Sequence, residues 1–340
     1  MAAYLTWRGH SVGIWSRSHD KSSDEQPGKL LFRTTGVVEA SFEIAKLDSL
    51  SALGEYEVIV VALPATAYFD VLPDLARHLN SPHNVVFSGS LSLAPLWLHE
   101  TAQKVGSNPI ITAWGTTLMA ASFQPDGTLH IPFTRKKFDL ASIPVSSTPQ
   151  SLTLCRGLFG IEFEATRSVL DITLSNINPI AHAGQVIGNF SRIEKSEKWK
   201  LFENFTNSGI RVAEALDAER LAIAAAYGAR PRTLRRHYAL SYPVQDGEIG
   251  MMVRQISDTG SRTLGPATLN HRYLIEDMPY GLAFLERLAT NAGIEVPMLS
   301  SIISILEVMS GVAIRKGNRI IDAVLHPNDD TETIKERCRG

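Results

Sequence analysis

The stretch EVIVVALPA (57–65) constrains the fold most. A β-branched run without polar alternation is a strand buried on both faces, and Pro64 ends it at the entry to a helix expected over 66–79. NVVFSGS (84–90) repeats the design, followed by a helix around 93–104, and IITAWGT (110–116) supplies a third buried strand. Strands of this kind separated by helices form a parallel sheet covered on both faces. FQPDGTLHIP (123–132) carries a Pro-Asp-Gly turn between two short strands, so an antiparallel hairpin is expected next.

Beyond about residue 167 the texture becomes helical, with helices expected over 169–190, 196–206, 209–226, 279–291 and 297–311. The basic run GARPRTLRRHY (228–238) is expected to be a solvated loop or an attraction for anionic substrates, and the Gly-rich 246–266 an irregular connection. The expected fold class is therefore an α/β Rossmann-like domain over 1–166 followed by an all-α domain over 167–340, a length that lets each half bury its own core. With 44% hydrophobic and 20% charged residues and a net charge of −2, nothing points to nucleic acid or to a membrane surface as partner. The longest apolar run, Val58 to Ala65, is too short to span a bilayer, and no signal layout opens the chain. Cys155 and Cys338 stand alone and far apart, which fits a cytoplasmic protein and excludes a cysteine-built metal cluster; no metal is expected.

The opening MAAYLTWRGHSVGIWSRS (1–18) resembles the middle of a nucleotide-binding βαβ unit. Ala2 to Arg8 ends a helix at Gly9, and Val12 to Ser16 follows as a strand with a polar turn. The first strand and its Gly-rich turn would need roughly 15–25 residues more upstream. A truncated start is expected rather than a natural loss, because loss would strip a central strand from the sheet. The surviving strand ends nominate Ser16, Arg17, Ser18, Ala62, Leu63, Pro64, Ser88 and Gly89 for a dinucleotide. One Arg between two hydroxyls suits a 2′-phosphate, which favours NADP(H) over NAD(H); the bland alternative is a solvated turn residue.

DITLSNINPIAHAGQVIGN (171–189) is the stretch most informative about chemistry. On one helix, Asp171, Ser175, Asn178, His182, Gln185 and Asn189 would form a continuous polar stripe, kinked by Pro179. It contains no Lys, Glu or Arg, so it suits the wall of a polar cavity better than a solvent face. His182 needs a partner, and NHRYLIEDMPYGLAFLERLA (270–289) offers Asp277, whose alternative is a helix N-cap before Pro279. Arg272 could clamp a carboxylate, or merely pair with Glu276.

AAYLTWRGHSVGIWSR, NINPIAHAGQVIGNFSRIE and HRYLIEDMPYGL together resemble the opine dehydrogenase family, of the octopine/nopaline dehydrogenase type. The resemblance implies a Rossmann domain joined to a helical domain like the C-terminal domain of 6-phosphogluconate dehydrogenase. It further implies NAD(P)H-dependent reductive condensation of a 2-oxo acid with the amino group of an amino acid. By the same resemblance His182 is the catalytic His, Asp277 its dyad partner and Arg272 a carboxylate binder, with Asn178 one helical turn before the His. VVFSGSLSL departs from the Pro-Gly turn expected after that strand. The alternatives are a 2-oxo acid reductase of the same architecture, or an inactive remnant that binds a cofactor or partner. A homodimer is a candidate assembly, and the sequence is silent on oligomeric state.

Overall fold

The computed structural model describes residues 1–17, 28–81, 83–261 and 263–340. They divide into two compact units, one of residues 1–63, 68–172 and 338–340, the other of residues 64–67 and 173–337.

In the first unit, α1 (Ala2–Trp7) stops as its sequence requires. Gly9 takes φ +93°, its N–H donates to Thr6 O, and the His10 N–H donates to Leu5 O. These two bonds are a Schellman cap, which needs a residue without a Cβ in the left-handed region. The strand expected over 12–16 is reduced to β1 (Gly13–Ile14), which pairs in parallel with β3 (Ala40–Lys46). Between them in the sheet order lies no other strand, while β2 (Lys29–Gly36) continues beyond β3 as its antiparallel partner.

The apolar run expected as a buried strand is β4 (Val58–Val61), followed by a 3-10 turn at Ala65–Ala67 and α2 (Tyr68–His78). Then come β5 (Asn84–Ser88), α3 (Ala94–Lys104) and β6 (Ile110–Trp114), and the three strands β4, β5 and β6 lie side by side in parallel. The expected hairpin is β7 (Met119–Phe123) with β8 (Leu129–Thr134), antiparallel as the Pro-Asp-Gly turn demands.

Beyond the three parallel strands read from the sequence the sheet becomes mixed. β9 (Lys137–Ile143) joins β6 antiparallel, and after α4 (Thr148–Phe159) β10 (Glu162–Ala165) pairs with β9. The strands form two five-stranded sheets, β10-β9-β6-β5-β4 and β1-β3-β2-β8-β7. The reason is local. The long connection after β6 returns as the hairpin, whose β8 extends β2 in parallel rather than adding to β4. The core is aromatic: the Trp114 ring lies 5.4 Å from both Phe159 and Phe163 and 5.9 Å from Phe138. Tyr4 of α1 donates to Phe159 O at 2.8 Å, which ties the first helix to this core.

The helical half also departs from expectation in ways that shape the site. The helix expected over 169–190 is broken into α5 (Val169–Leu174) and α6 (Asn178–Gly188). Pro179 has no N–H to give and disfavours a helical residue before it, so it can only open a new helix. Asn176 Oδ1 accepts the Asn178 N–H at 3.0 Å and closes the turn between them. After α7 (Phe190–Glu194), residues expected as a helix over 196–206 are turns, with an isolated bridge from Lys200 to Leu264. α8 (Asn207–Ala226) crosses α6 where Gly184 meets Gly209, so close that a Cβ on Gly184 would stand 2.3 Å from Gly209 O.

The two stretches expected as loops contain α9 (Leu234–Ser241) and α10 (Ile249–Asp258). Thr233 caps α9 by accepting the Arg236 N–H, and buried Asp217, paired with Arg220, accepts the Leu234 N–H. The basic run is thus partly consumed by folding, and Arg235 and Arg236 share Asp246. A π-helix follows at Tyr273–Ala283, then α11 (Phe284–Ala292), α12 (Pro297–Ser310) and the short α13 (Ile314–Gly317), α14 (Ile321–Val324) and α15 (Thr331–Arg337). Among the described residues no helix is long and apolar enough to cross a membrane.

Candidate active site

The π-helix sets the position of Asp277. Its i→i+5 pattern gives room for Pro279, which lacks an N–H and would clash inside an α-helix. The helix therefore begins at Tyr273, four residues before Asp277. The N-cap reading of Asp277 is corrected: it is an interior residue, 1% exposed. Its Oδ2 lies 2.8 Å from His182 Nδ1 on α6, and the His182 side chain is 13% exposed. The approach of the two helices is fixed one turn further on, where Gly281 lies against the ring of Pro179.

Around this pair the same helix and the residues just before it place three more groups. Tyr273 lies flat on the His182 ring, centroids 3.5 Å apart with 13° between planes. His271 stands edge-on to Tyr273 at 4.7 Å and 83°, and its Nδ1 accepts the Tyr273 N–H at 3.3 Å. Burial pushes the His271 imidazole below its usual range, with His182 and Arg272 adding to the effect. Burial likewise raises the Tyr273 phenol, reinforced by Asp277. Glu276 is buried beside the dyad, with Oε1 accepting the Ala65 N–H at 3.0 Å and Oε2 3.4 Å from Arg272 Nε. Burial raises its carboxyl above the ordinary range, while Arg272 and the Ala65 N–H pull the other way.

Arg272 remains half exposed, at 51%, with Nη2 3.9 Å from Asp277 Oδ1. Its pairing with Glu276 is the alternative stated from sequence, and it leaves guanidinium edges for an incoming carboxylate. Asn178 is half-buried at the start of α6, one turn before His182. The rest of the expected stripe does not line a common wall, because the break at 175–177 interrupts it. Asp171 pairs with Arg167 at 2.9 Å, and Gln185 and Asn189 are buried scaffold. The Asn189 Nδ2 donates to Gln185 O and Asn204 O.

The residues nominated for a dinucleotide lie at strand ends of the first unit, save Pro64, which groups with the second unit. Ser16 and Arg17 follow β1, and Ala62 and Leu63 follow β4. Ser88 closes β5 and Gly89 turns away at φ +83°. Ser18 lies outside the described residues. Arg17 Nη1 is 3.1 Å from Asp70 Oδ2, an exposed pair in place of a free turn residue. Ser90, one residue past Gly89, is buried with an Oγ that lacks a hydrogen-bond partner, although its N–H donates to Trp114 O. An unpartnered hydroxyl at the carboxyl ends of parallel strands fits a ligand that carries its own donors and acceptors, such as a nicotinamide dinucleotide. No group of three or more metal-ligating side chains occurs among the described residues.

Sequence reasoning does not single out Tyr273, Glu276 or His271 as functional. The signal available for Tyr273 is its four-residue spacing from Asp277, which sets both on one helical face once the helix is known to begin before the proline.

Residues 165–310 match the family model described as the NAD/NADP octopine/nopaline dehydrogenase alpha-helical domain. The chain is 23% identical over 326 residues to the opine dehydrogenase of Arthrobacter sp. (strain 1C), covering 94% of this chain and 90% of that one. Its fold is similar to octopine dehydrogenase solved with NADH and agmatine, at TM-score 0.75 and 14% identity over 99% of this chain and 91% of that one. It is similar also to NADP+-bound yersinopine dehydrogenase, at TM-score 0.71 and 15% identity over 99% and 94%. The dyad lies inside the segment that matches the octopine/nopaline dehydrogenase helical domain, and the fold is similar to these dehydrogenases over nearly the whole chain.

Proposed function

We propose that the chain reductively condenses a 2-oxo acid with the amino group of an amino acid, using NAD(P)H. The observation that carries this reading is the His182–Asp277 pair, 2.8 Å apart with the carboxylate buried, inside the family-matched helical segment. We assign cofactor binding to residues 1–166 and substrate binding to 167–340.

The carboxylate of Asp277 accepts the Nδ1–H of His182, which fixes the tautomer and leaves Nε2 to exchange protons. An amino acid arrives as an ammonium ion. His182 Nε2 takes one proton, the nitrogen lone pair forms a bond to the carbonyl carbon, and the carbonyl electron pair moves to oxygen. His182 then returns that proton to oxygen and carries a second from nitrogen, so that water leaves and an iminium ion remains. Arg272 holds the oxo acid's carboxylate by exchanging part of its pairing with Glu276, and Asn178, on the same helix as His182, hydrogen-bonds the substrate. Ser16, Arg17, Ala62, Leu63, Pro64, Ser88 and Gly89 would hold the nicotinamide cofactor, which would supply the hydride for the reduction. Arg17 supports a preference for NADP(H), with a 2′-phosphate replacing Asp70 as its partner. Two buried cysteines set far apart in the chain, Cys155 and Cys338, support the cytoplasm as compartment.

The test is NAD(P)H oxidation with panels of oxo acids and amino acids, with the secondary amine identified by mass. Oxidation that needs both substrates is the expected result. Equal rates with the oxo acid alone would make the protein a 2-oxo acid reductase.

A further inference from the structure

We propose that Tyr273 is a positioning residue for His182, holding the plane of its imidazole and favouring the protonated ring through its aromatic face. The inference rests on the assignment of His182 as the proton carrier.

The hydrogen bond to Asp277 fixes one atom of the imidazole and leaves the ring free to rock about that point. A flat neighbour at 3.5 Å and 13° removes that freedom. The geometry also identifies which charge state it suits. Two neutral aromatic rings avoid a face-to-face sandwich, because their quadrupoles repel, and settle offset or edge-on at centroid separations of about 4.5–7 Å. A cation over a ring face is attracted in that same arrangement. The Tyr273–His182 stack is closer and flatter than neutral rings prefer, so it is matched to the imidazolium that exists while His182 carries a substrate proton. His271 completes the device. It meets Tyr273 edge-on, the arrangement of neutral rings, and its Nδ1 is committed as acceptor of the Tyr273 N–H. It anchors the tyrosine without adding a second positive charge.

The groups that bear on His182 are known by element. The π-helix brings Asp277, Glu276 and Tyr273, and the residues before it bring Arg272 and His271. Tyr242 bears on Tyr273, α8 meets α6 through the Gly209 backbone and Ala213, and α6 itself carries the neutral Asn178 and Gln185. A substitution at Tyr273 removes its own phenol and its edge-on contact with His271 and leaves Asp277, Glu276 and Arg272 in place, so Tyr273→Phe, which keeps the ring, is the control for the face.

The experiment follows the histidine Cε1–H resonances by NMR against pH, with the His182 signal among ten identified by its loss in His182→Gln. Tyr273→Phe keeps the face and should keep the wild-type midpoint. Tyr273→Leu keeps the site dry but removes the face, and should lower the midpoint by about half to one pH unit. Tyr273→Trp, with the stronger face, should raise it, and this variant tests the sign even if the Leu variant does not fold. The limb of the kcat/KM profile assigned to His182 should move with the midpoint. A midpoint unchanged or raised in Tyr273→Leu, or unchanged or lowered in Tyr273→Trp, overturns the inference, as does a Phe variant that behaves like Leu. Because the titration needs no turnover, failure of the amine-plus-oxo acid assay refutes the proposed function and leaves this result standing.

Discussion

The spacing of the dyad can be broken without touching either of its members, by Gly281→Ala. A Cβ at Gly281 would lie 2.2 Å from Pro179 Cγ and 2.5 Å from Pro179 Cβ. The proline ring cannot swing aside as a flexible side chain would, so the helices themselves must part. Raising 2.2 Å to the 3.4 Å at which ordinary contact begins asks for about 1.2 Å of movement. His182 stands three residues beyond Pro179 on α6, and Asp277 four residues before Gly281 on the π-helix. Transmitted to the pair, that movement takes a 2.8 Å hydrogen bond out of range.

Misplacement of a catalytic group by 1 Å costs on the order of 10²-fold in rate, and overpacking costs about 1–3 kcal/mol of stability. The assay is kcat and KM for both substrates, with thermal denaturation run alongside. Gly157→Ala is the control. It lies in α4, and a Cβ added there would meet no atom within 4 Å, so the variant should gain about 0.5–1 kcal/mol and keep its kcat. A Gly281→Ala enzyme with wild-type kcat well below its melting temperature would falsify the spacing argument. Lost stability with kcat intact would show that the contact packs the helices without aligning the dyad.

Four further outcomes follow from the structure. His182→Ala should lose about 10²–10⁴ in rate, while Asp277→Asn should lower kcat far more than cofactor affinity, because it disturbs the tautomer and leaves binding alone; a melting-temperature drop with unchanged kcat in Asp277→Asn would return that residue to a structural role. Glu276 has a carboxyl raised by burial, so the folded protein holds its proton more tightly than the unfolded chain does. Its contribution is full below the ordinary Glu range and is lost as pH rises through the elevated value, so Glu276→Gln should gain stability over wild type towards neutral pH and lose that gain in acid; a difference independent of pH in denaturant melts would contradict this. Burial pushes the Cys155 thiol up to about 12, and Cys338 is buried too. Neither should react with a thiol reagent at neutral pH until the chain unfolds, and labelling of the native protein would refute that.

The parallel β4-β5-β6 core is legible in the sequence because its strands are unbroken apolar runs, a pattern that few other structures permit. The His182–Asp277 pairing is legible for a different reason: a lone His needs an acidic partner, Asp277 offers one, and the family resemblance joins the two across 95 positions. What stays hidden is long-range or non-standard backbone. The antiparallel entry of β9 depends on where a long connection returns, which local pattern does not encode. The π-helix is invisible because Pro279 is a strong helix-start signal, and tertiary packing overrides it. The same override creates the rest of the cluster. Once the helix begins at Tyr273, Arg272, Tyr273, Glu276 and Asp277 all come from six consecutive residues.

That concentration has a mechanical consequence. Both helices of the dyad contain a proline within one turn of the paired residue, Pro179 three residues before His182 on α6 and Pro279 two residues after Asp277 on the π-helix, and each proline is met by a glycine. Gly281 lies against Pro179, and a Cβ on Gly317 would stand 3.2 Å from Pro279 Cγ. Asn318 then donates from Nδ2 to Pro279 O at 3.2 Å, a side-chain donor to a carbonyl inside a distorted helix. A proline in such a place weakens the backbone ladder, so the geometry has to be held by neighbours rather than by regular hydrogen bonds. Glycine lets those neighbours approach to backbone distance, and the rigid ring cannot yield when they do. The dyad is therefore aligned by shape at two points flanking it. Precision in the His182–Asp277 distance follows from a contact at Gly281 that tolerates no added methyl and a tight one at Gly317, while the stack on Tyr273 governs the one remaining freedom, the tilt of the ring.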